Sequence, residues 1–195
     1  PTPTPSSGSD DFSGTTLGAQ WSWVREDNTH WSLTAAPGAM RITTQTGDIY
    51  QPYADAKNIL LQDAAGDWTI TAKVDFMHPA NYQQAAVIAY QDDDNYVKTG
   101  RAYLSSNQLQ FAKEVSGTFS DTNVTDSISG STVYLRLVKS GNNYTGFYSE
   151  NGTTFTQIGG TETVTLSPIK IGMIAVNSYE EVSELNADFD YFNIE

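Results

Sequence analysis

Along much of this chain apolar and polar residues alternate one for one, the period of a strand with one face on a core and the other in water. In Thr69-Ile-Thr-Ala-Lys-Val-Asp-Phe76 the apolar face is Ile70, Ala72, Val74 and Phe76, and the solvated face is Thr69, Thr71, Lys73 and Asp75. Tyr134 to Lys139 and Tyr144 to Ser149 flank Ser140-Gly-Asn-Asn143, a hairpin signal, and Glu150-Asn-Gly152 turns the chain into Thr153 to Ile158, completing a meander. Lys170 to Val176 is almost wholly apolar and belongs in the middle of a sheet. Leu185 to Ile194 closes the chain as a strand, with Ala187, Phe189, Tyr191 and Asn193 on one face and Asp188, Asp190, Phe192 and Ile194 on the other. Only Tyr53 to Gln62 fits a short helix, and Ile59 to Leu61 fits a buried strand equally well. Such a density of turn signals predicts an all-β, two-sheet antiparallel sandwich.

Residues 1–9 interrupt this pattern. Pro1-Thr-Pro-Thr-Pro-Ser-Ser-Gly-Ser9 holds no core residue and reads as an extended Pro/Thr/Ser linker, with the folded module running over residues 10–195. Pro/Thr repeats of this kind join the modules of secreted bacterial polysaccharide-degrading enzymes, so the expectation is an extracellular, monomeric module tethered to a catalytic domain through its N-terminal linker. No apolar run is long enough to span a membrane. With 195 residues and 38% hydrophobic content, one core suffices. The formal charge of −13 repels phosphate backbones and anionic membranes, which leaves neutral polysaccharide or a cation as compatible partners.

Catalytic constellations are sparse. Cysteine is absent, and the two histidines, His30 and His78, do not have metal-ligand spacing. Retaining glycoside hydrolysis needs two carboxylates about 5 Å apart. The one candidate run, Glu180-Glu-Val-Ser-Glu184, reads as a loop, so no catalysis by this chain is expected. Asp92-Asp-Asp-Asn95 joins two strands and reads either as a tight turn or as calcium ligands. A second calcium possibility gathers Asp10 and Asp11 from the first strand with Asp188 and Asp190 from the last.

Sugars stack their C–H faces on aromatic rings while amides and charged groups bond their hydroxyls. Trp21, Trp23, Trp31 and Trp68 at strand spacing favour core packing over that role. Faces that mix polar and aromatic residues opposite apolar ones are better candidates: Gln84 and Tyr90, Tyr96 and Lys98, Tyr134 and Arg136, Tyr144 and Tyr148. Gln84, Tyr90, Tyr96, Lys98, Arg136 and Tyr148 are therefore the expected carbohydrate-binding set, with a plain solvent face as the alternative.

Four ordered segments also carry a family resemblance: Asp10-Asp-Phe12 followed by Trp21-Ser-Trp-Val-Arg25 and Trp31-Ser-Leu-Thr34; Gln83-Gln-Ala-Ala-Val-Ile-Ala-Tyr-Gln-Asp-Asp-Asp-Asn-Tyr-Val-Lys98; Tyr134 to Ser149; and Ala187-Asp-Phe-Asp-Tyr-Phe192. Together they resemble the concanavalin-A-like domain found C-terminal to family 43 glycoside hydrolases. The resemblance implies a two-sheet jelly roll and, in many members, a xylan-binding or β-xylosidase-associated module. It makes the expected function a non-catalytic carbohydrate-binding module on xylan or arabinoxylan, with a purely structural accessory domain as the alternative. In β-xylosidases a loop of this domain can finish the neighbouring catalytic pocket; here Val176 to Asn186 is short, with Tyr179 its one obvious large apolar residue for that job, so a detached binding module on the Pro/Thr linker is the better expectation.

Overall fold

A computed structural model describes residues 8–77, 80, 82–178 and 182–195. Its strands are β1 (Ser22–Val24), β2 (Trp31–Ser32), β3 (Met40–Thr43), β4 (Ile59–Asp63), β5 (Trp68–Asp75), β6 (Gln84–Asp92), β7 (Asn95–Tyr103), β8 (Asn107–Val115), β9 (Thr118–Thr125), β10 (Thr132–Ser140), β11 (Asn143–Ser149), β12 (Thr156–Thr163), β13 (Lys170–Val176) and β14 (Asn186–Ile194). They form two antiparallel seven-stranded sheets. Sheet one runs β1-β4-β13-β6-β7-β8-β9 and sheet two runs β12-β11-β10-β5-β14-β3-β2. This is the two-sheet sandwich that the alternation predicts, in the concanavalin-A-like form that the resemblance implies.

Between the sheets lies the main core, to which sheet one contributes Ala85, Val87, Ala89, Leu109, Phe111 and Met173, and sheet two Ile70, Val74, Leu135, Leu137 and Phe189. β13, flanked by β4 and β6, is mid-sheet as its apolar run demands. The Tyr53–Gln62 ambiguity resolves in favour of a strand, since β4 carries the fully buried Ile59, Leu60 and Leu61. The chain ends pair through Asp10 N–H to Phe192 O (2.9 Å) and Phe192 N–H to Asp10 O (2.8 Å). Packing begins just before the expected boundary, because Gln62 Nε2 donates to Gly8 O (2.7 Å) and Ile194 N–H to Ser9 Oγ (2.9 Å).

Two strands depart from the expected facing. A bulge between Phe189 and Tyr191 resets the phase of β14, so Phe192 joins Ala187 and Phe189 in the core while Tyr191 turns outward opposite Lys73. In β11, Tyr144 is fully buried, Tyr148 packs against the core and Phe147 lies opposite Arg136 on the outside, the reverse of the expected facing. Aromatic residues on both faces of Tyr-Thr-Gly-Phe-Tyr leave period two without a preference there. What sets the facing is Gly146: a Cβ on it would come within 2.6 Å of the Phe111 ring, so the glycine admits that ring.

Sheet one carries a second, smaller core on its outer face. Ile49 and Ala56, from the segment between β3 and β4, cover Ile59, Leu61, Ile88, Tyr90, Ile174 and Val176. This cover is pinned by an antiparallel bridge between Gly47 and Ser178 and by Asp55 and Ala56 N–H groups donating to Asp48 O (both 3.1 Å). Gly47 has φ 140°, and a Cβ on it would meet Asp55 O at 2.8 Å, so only glycine fits the bridge.

Candidate functional site

Beyond the cover, the outer face of sheet one is polar. One polar side chain rises from each of four neighbouring strands: Gln84 from β6, Lys98 from β7, Gln110 from β8 and Asp121 from β9. Between Lys98 and Gln84 the same face carries only the paired Gly100 and Ala86. Over that low floor the lysine stem reaches across to hydrogen-bond Gln84 Oε1. Asp48 and Tyr50 from the cover, Tyr82, Leu104 and Phe119 complete the walls of a pocket of about 290 Å³. Tyr50 and Phe119 meet edge to face at 4.9 Å, closing one side.

The pocket's polar atoms are incompletely used. Lys98 is 5% exposed, yet among the described residues its ammonium has one hydrogen-bond partner, Gln84, out of three it could serve. Gln84 Nε2 in turn donates to Ser178 Oγ (3.2 Å), which fixes the amide. Asp121 Oδ2 accepts from Gln110 Nε2 and Asn123 Nδ2, both at 2.8 Å, while its Oδ1 has no partner among the described residues. Asp48 Oδ1 accepts the Ile49 and Tyr50 N–H groups (2.7 and 3.2 Å), and its Oδ2 is likewise unused there. Burial lowers the Lys98 pKa, against the opposing pull of Asp48, Asp121 and Glu114. Burial raises that of Glu114, whose carboxylate accepts Gln51 N–H (3.0 Å) and the Tyr96 hydroxyl (3.1 Å) and so anchors the cover.

Of the six expected sugar-binding residues, Gln84 and Lys98 line this pocket. Tyr90 and Tyr96 share its face but lie buried in the second core, and Tyr90 donates to Asp93 Oδ1 (2.9 Å) inside a bidentate Arg25–Asp93 pair (2.8 and 2.8 Å). Arg136 is on the outer face of the other sheet, stacked on Phe155 at 3.6 Å, and Tyr148 faces the core. The set is thus split among four surroundings. Asp48, Tyr50, Tyr82, Leu104, Gln110, Phe119 and Asp121 were not anticipated; the alternation Gln108-Leu-Gln-Phe-Ala112 flags Gln110, but no period marks the loop residues.

The four acids at the seam do not converge. Asp188 is paired bidentately with Arg41 (2.7 and 2.7 Å) and Asp190 with Lys73 (2.7 Å). Asp10 accepts Trp21 Nε1–H (2.9 Å) and Asp11 caps Ser13 N–H (3.0 Å). Among the described residues no group of three or more Asp, Glu or His is placed to hold a metal ion, so these residues do not fit one calcium site. Asp92 Oδ1 accepts from Asp94 N–H (3.0 Å) and Asn95 Nδ2 (2.7 Å), the tight turn read from the acidic run. Trp21 packs between Phe12 and Phe192, and Trp23 stacks on Trp31 at 5.1 Å, all against the main core. His30 bonds Glu184 Oε1 (3.1 Å); His78, Tyr179, Glu180 and Glu181 lie outside the described residues, as do residues 1–7.

Comparison with known proteins follows the fold. The family model for the beta xylosidase C-terminal concanavalin A-like domain matches residues 9–195. The chain belongs to that family. The chain spans well under half the length of the relatives it matches. A beta-xylosidase of Formosa agariphila is 27% identical over 93% of this chain, which spans 35% of that protein. A non-reducing end alpha-L-arabinofuranosidase of Bacteroides ovatus is 32% identical over 45% of this chain and 16% of its own length. The crystal structure of a family 43 protein from Bacillus licheniformis superposes with a TM-score of 0.87 at 25% identity, over 97% of this chain and 39% of that one.

Proposed function

We propose that this domain is a carbohydrate-binding module that holds a secreted, extracellular family 43 glycoside hydrolase against xylan-type polysaccharide, through the pocket around Lys98. The observation that carries the reading is a buried ammonium with spare donors, flanked by two carboxylates with spare acceptors and by the rings of Tyr50 and Phe119. Sugar hydroxyls donate and accept at once, so they can bridge an ammonium and a carboxylate that do not contact each other. Relatives described as a beta-xylosidase and an arabinofuranosidase favour xylan or arabinoxylan. Binding of this kind raises the effective concentration of the tethered catalytic domain on its substrate. The Pro/Thr-rich leader supports secretion and a tether to that domain.

A larger depression of about 600 Å³ on the outer face of sheet two, lined by Asp11, Thr71, Arg136 and Tyr191, is a weaker candidate. It is more open, and its cation, Arg136, is only half-buried. Isothermal titration against soluble xylan, arabinoxylan, β-glucan and arabinan tests the reading. Heat with xylan or arabinoxylan that disappears in Lys98→Met supports it. Absence of heat with all four overturns it in favour of a purely structural accessory domain, a role that fits the 35% share of the Formosa agariphila enzyme this chain spans.

A further inference from the structure

Resting on that reading, we propose that the Lys98 pocket takes a single neutral sugar unit, presented at a chain end or as a one-residue branch, and does not accept the interior of a polysaccharide chain.

The first support is the shape of the sheet face. A groove that binds chain interiors must be open at both ends, so that sugars can run in and out. Here the β1-β4-β13 side of the face is filled by the second apolar core, with Ile49 and Ala56 fully buried against Ile59, Leu61 and Ile174. The cover is part of the fold: Gly47 is bridged to Ser178, and Gln51 N–H is held by the Glu114 carboxylate. Tyr50 and Phe119 meet at 4.9 Å across another side, and Tyr82 and Leu104 stand along the wall. The enclosed volume, about 290 Å³, lies at the bottom of the range of roughly 300–1,000 Å³ typical of small-molecule sites.

The second support is the polarity of the walls. Lys98 can donate two further hydrogen bonds, and Asp48 Oδ2 and Asp121 Oδ1 can each accept from a hydroxyl. Adjacent hydroxyls of one sugar ring match that mixture of donors and acceptors. An anionic sugar does not: one cation faces Asp48 and Asp121, with Glu114 behind it, so a uronic acid carboxylate adds like charge to an acidic pocket. Tyr50 is 38% exposed, which leaves its ring free to stack a sugar at the mouth.

The test is titration calorimetry with xylo- and arabino-oligosaccharides from one to six units, matched in moles of chain. The expected result is one site per molecule and an affinity that levels off by the disaccharide, changing less than about twofold up to the hexasaccharide. Glucuronic acid should give no heat. Lys98→Met and Asp121→Asn should each weaken binding at least about tenfold while melting cooperatively like the parent. Affinity that climbs about tenfold from two to six units overturns the end-on mode but leaves glycan binding intact. Wild-type affinity in a folded Lys98→Met variant overturns the location. If neither series nor the four polymers bind, this inference and the function it rests on fall together.

Discussion

Strand β7 carries two buried cations three residues apart, Lys98 on its outer face and Arg101 on its inner face, each at 5% exposure or less. Arg101 is surrounded by acceptors. Its Nε donates to Asp126 at 2.5 Å, and its Nη1 to Phe76 O (3.0 Å) and Ser131 O (2.6 Å). Those carbonyls follow β5 and precede β10, so the guanidinium clamps sheet one to sheet two. Lys98 has been taken out of water just as far but holds one amide oxygen. Burial of a charge is costly unless its hydrogen bonds are satisfied. Where a buried cation's donors hold a carboxylate and two carbonyls across both sheets, the charge fastens the fold; where two donors of an ammonium are left over beside a pocket, they are available to something else.

The strongest way to break this contrast is to remove the carboxylate that holds Arg101 and, separately, the Lys98 ammonium itself. Asp126→Ala leaves Arg101 uncompensated in the interior and is expected to cost about 3–5 kcal/mol by urea denaturation. Lys98→Met is expected to change stability by no more than about 1 kcal/mol, because the orphaned Gln84 oxygen is offset by removal of a desolvated charge. Equal losses in the two variants would make Lys98 a second clamp and remove the main argument for a binding pocket.

Much of the fold was legible in the alternation, and less of the site. A strand such as β5, with apolar residues on one face only, can face in a single way. β11 and β14 could not be read so: aromatic residues on both faces of β11 and a one-residue bulge in β14 hide the phase, and with it the surroundings of Tyr148, Tyr191 and Phe192. Gln84 and Lys98 were identifiable as outward polar residues next to an apolar face. That Tyr90 and Tyr96 on the same face are buried depends on a cover contributed by residues some 40 positions earlier, between β3 and β4, and no strand period reports it. The seam acids share one end of the topology, but Asp188 and Asp190 are taken up by Arg41 and Lys73 while Asp10 holds the Trp21 indole, partners that no strand period reports.

A smaller effect of burying Lys98 shows with pH. Burial holds the folded-state pKa of Lys98 below its ordinary value of 10.5, so between the lowered value and 10.5 the unfolded chain binds more protons. Stability then rises with pH across that window. Glu114 acts in the opposite sense: its raised value makes a contribution that is present in acid and is lost as pH climbs from 4.5 through the folded value. Buried tyrosines, Tyr96 among them, lower stability above about pH 10, where they ionise only in the unfolded chain. Subtracting the stability profile of Lys98→Met from that of the parent isolates the part of the pH dependence that needs Lys98. The difference should slope upward with pH below about 10; a flat difference would place Lys98 in water.

The smallest effect is expected on the opposite sheet, and it sharpens which face binds. Arg136 stacks on Phe155 at 3.6 Å and donates to Thr71 Oγ1 at 3.0 Å, but it is half-buried and faces solvent, like the paired charges Arg41–Asp188 and Lys73–Asp190 around it. A stacked, partly exposed guanidinium contributes about 0.5–1 kcal/mol, so Arg136→Ala should lower stability by roughly that amount. Glycan affinity should remain within about twofold of the parent, since the sandwich core separates Arg136 from the Lys98 pocket. If affinity instead falls with Arg136 and survives loss of Lys98, the depression beside Tyr191 and Asp11 is the binding surface. Spare donors on a buried lysine would then be no guide to function in this sandwich, and an exposed cation on a ring would be the better one.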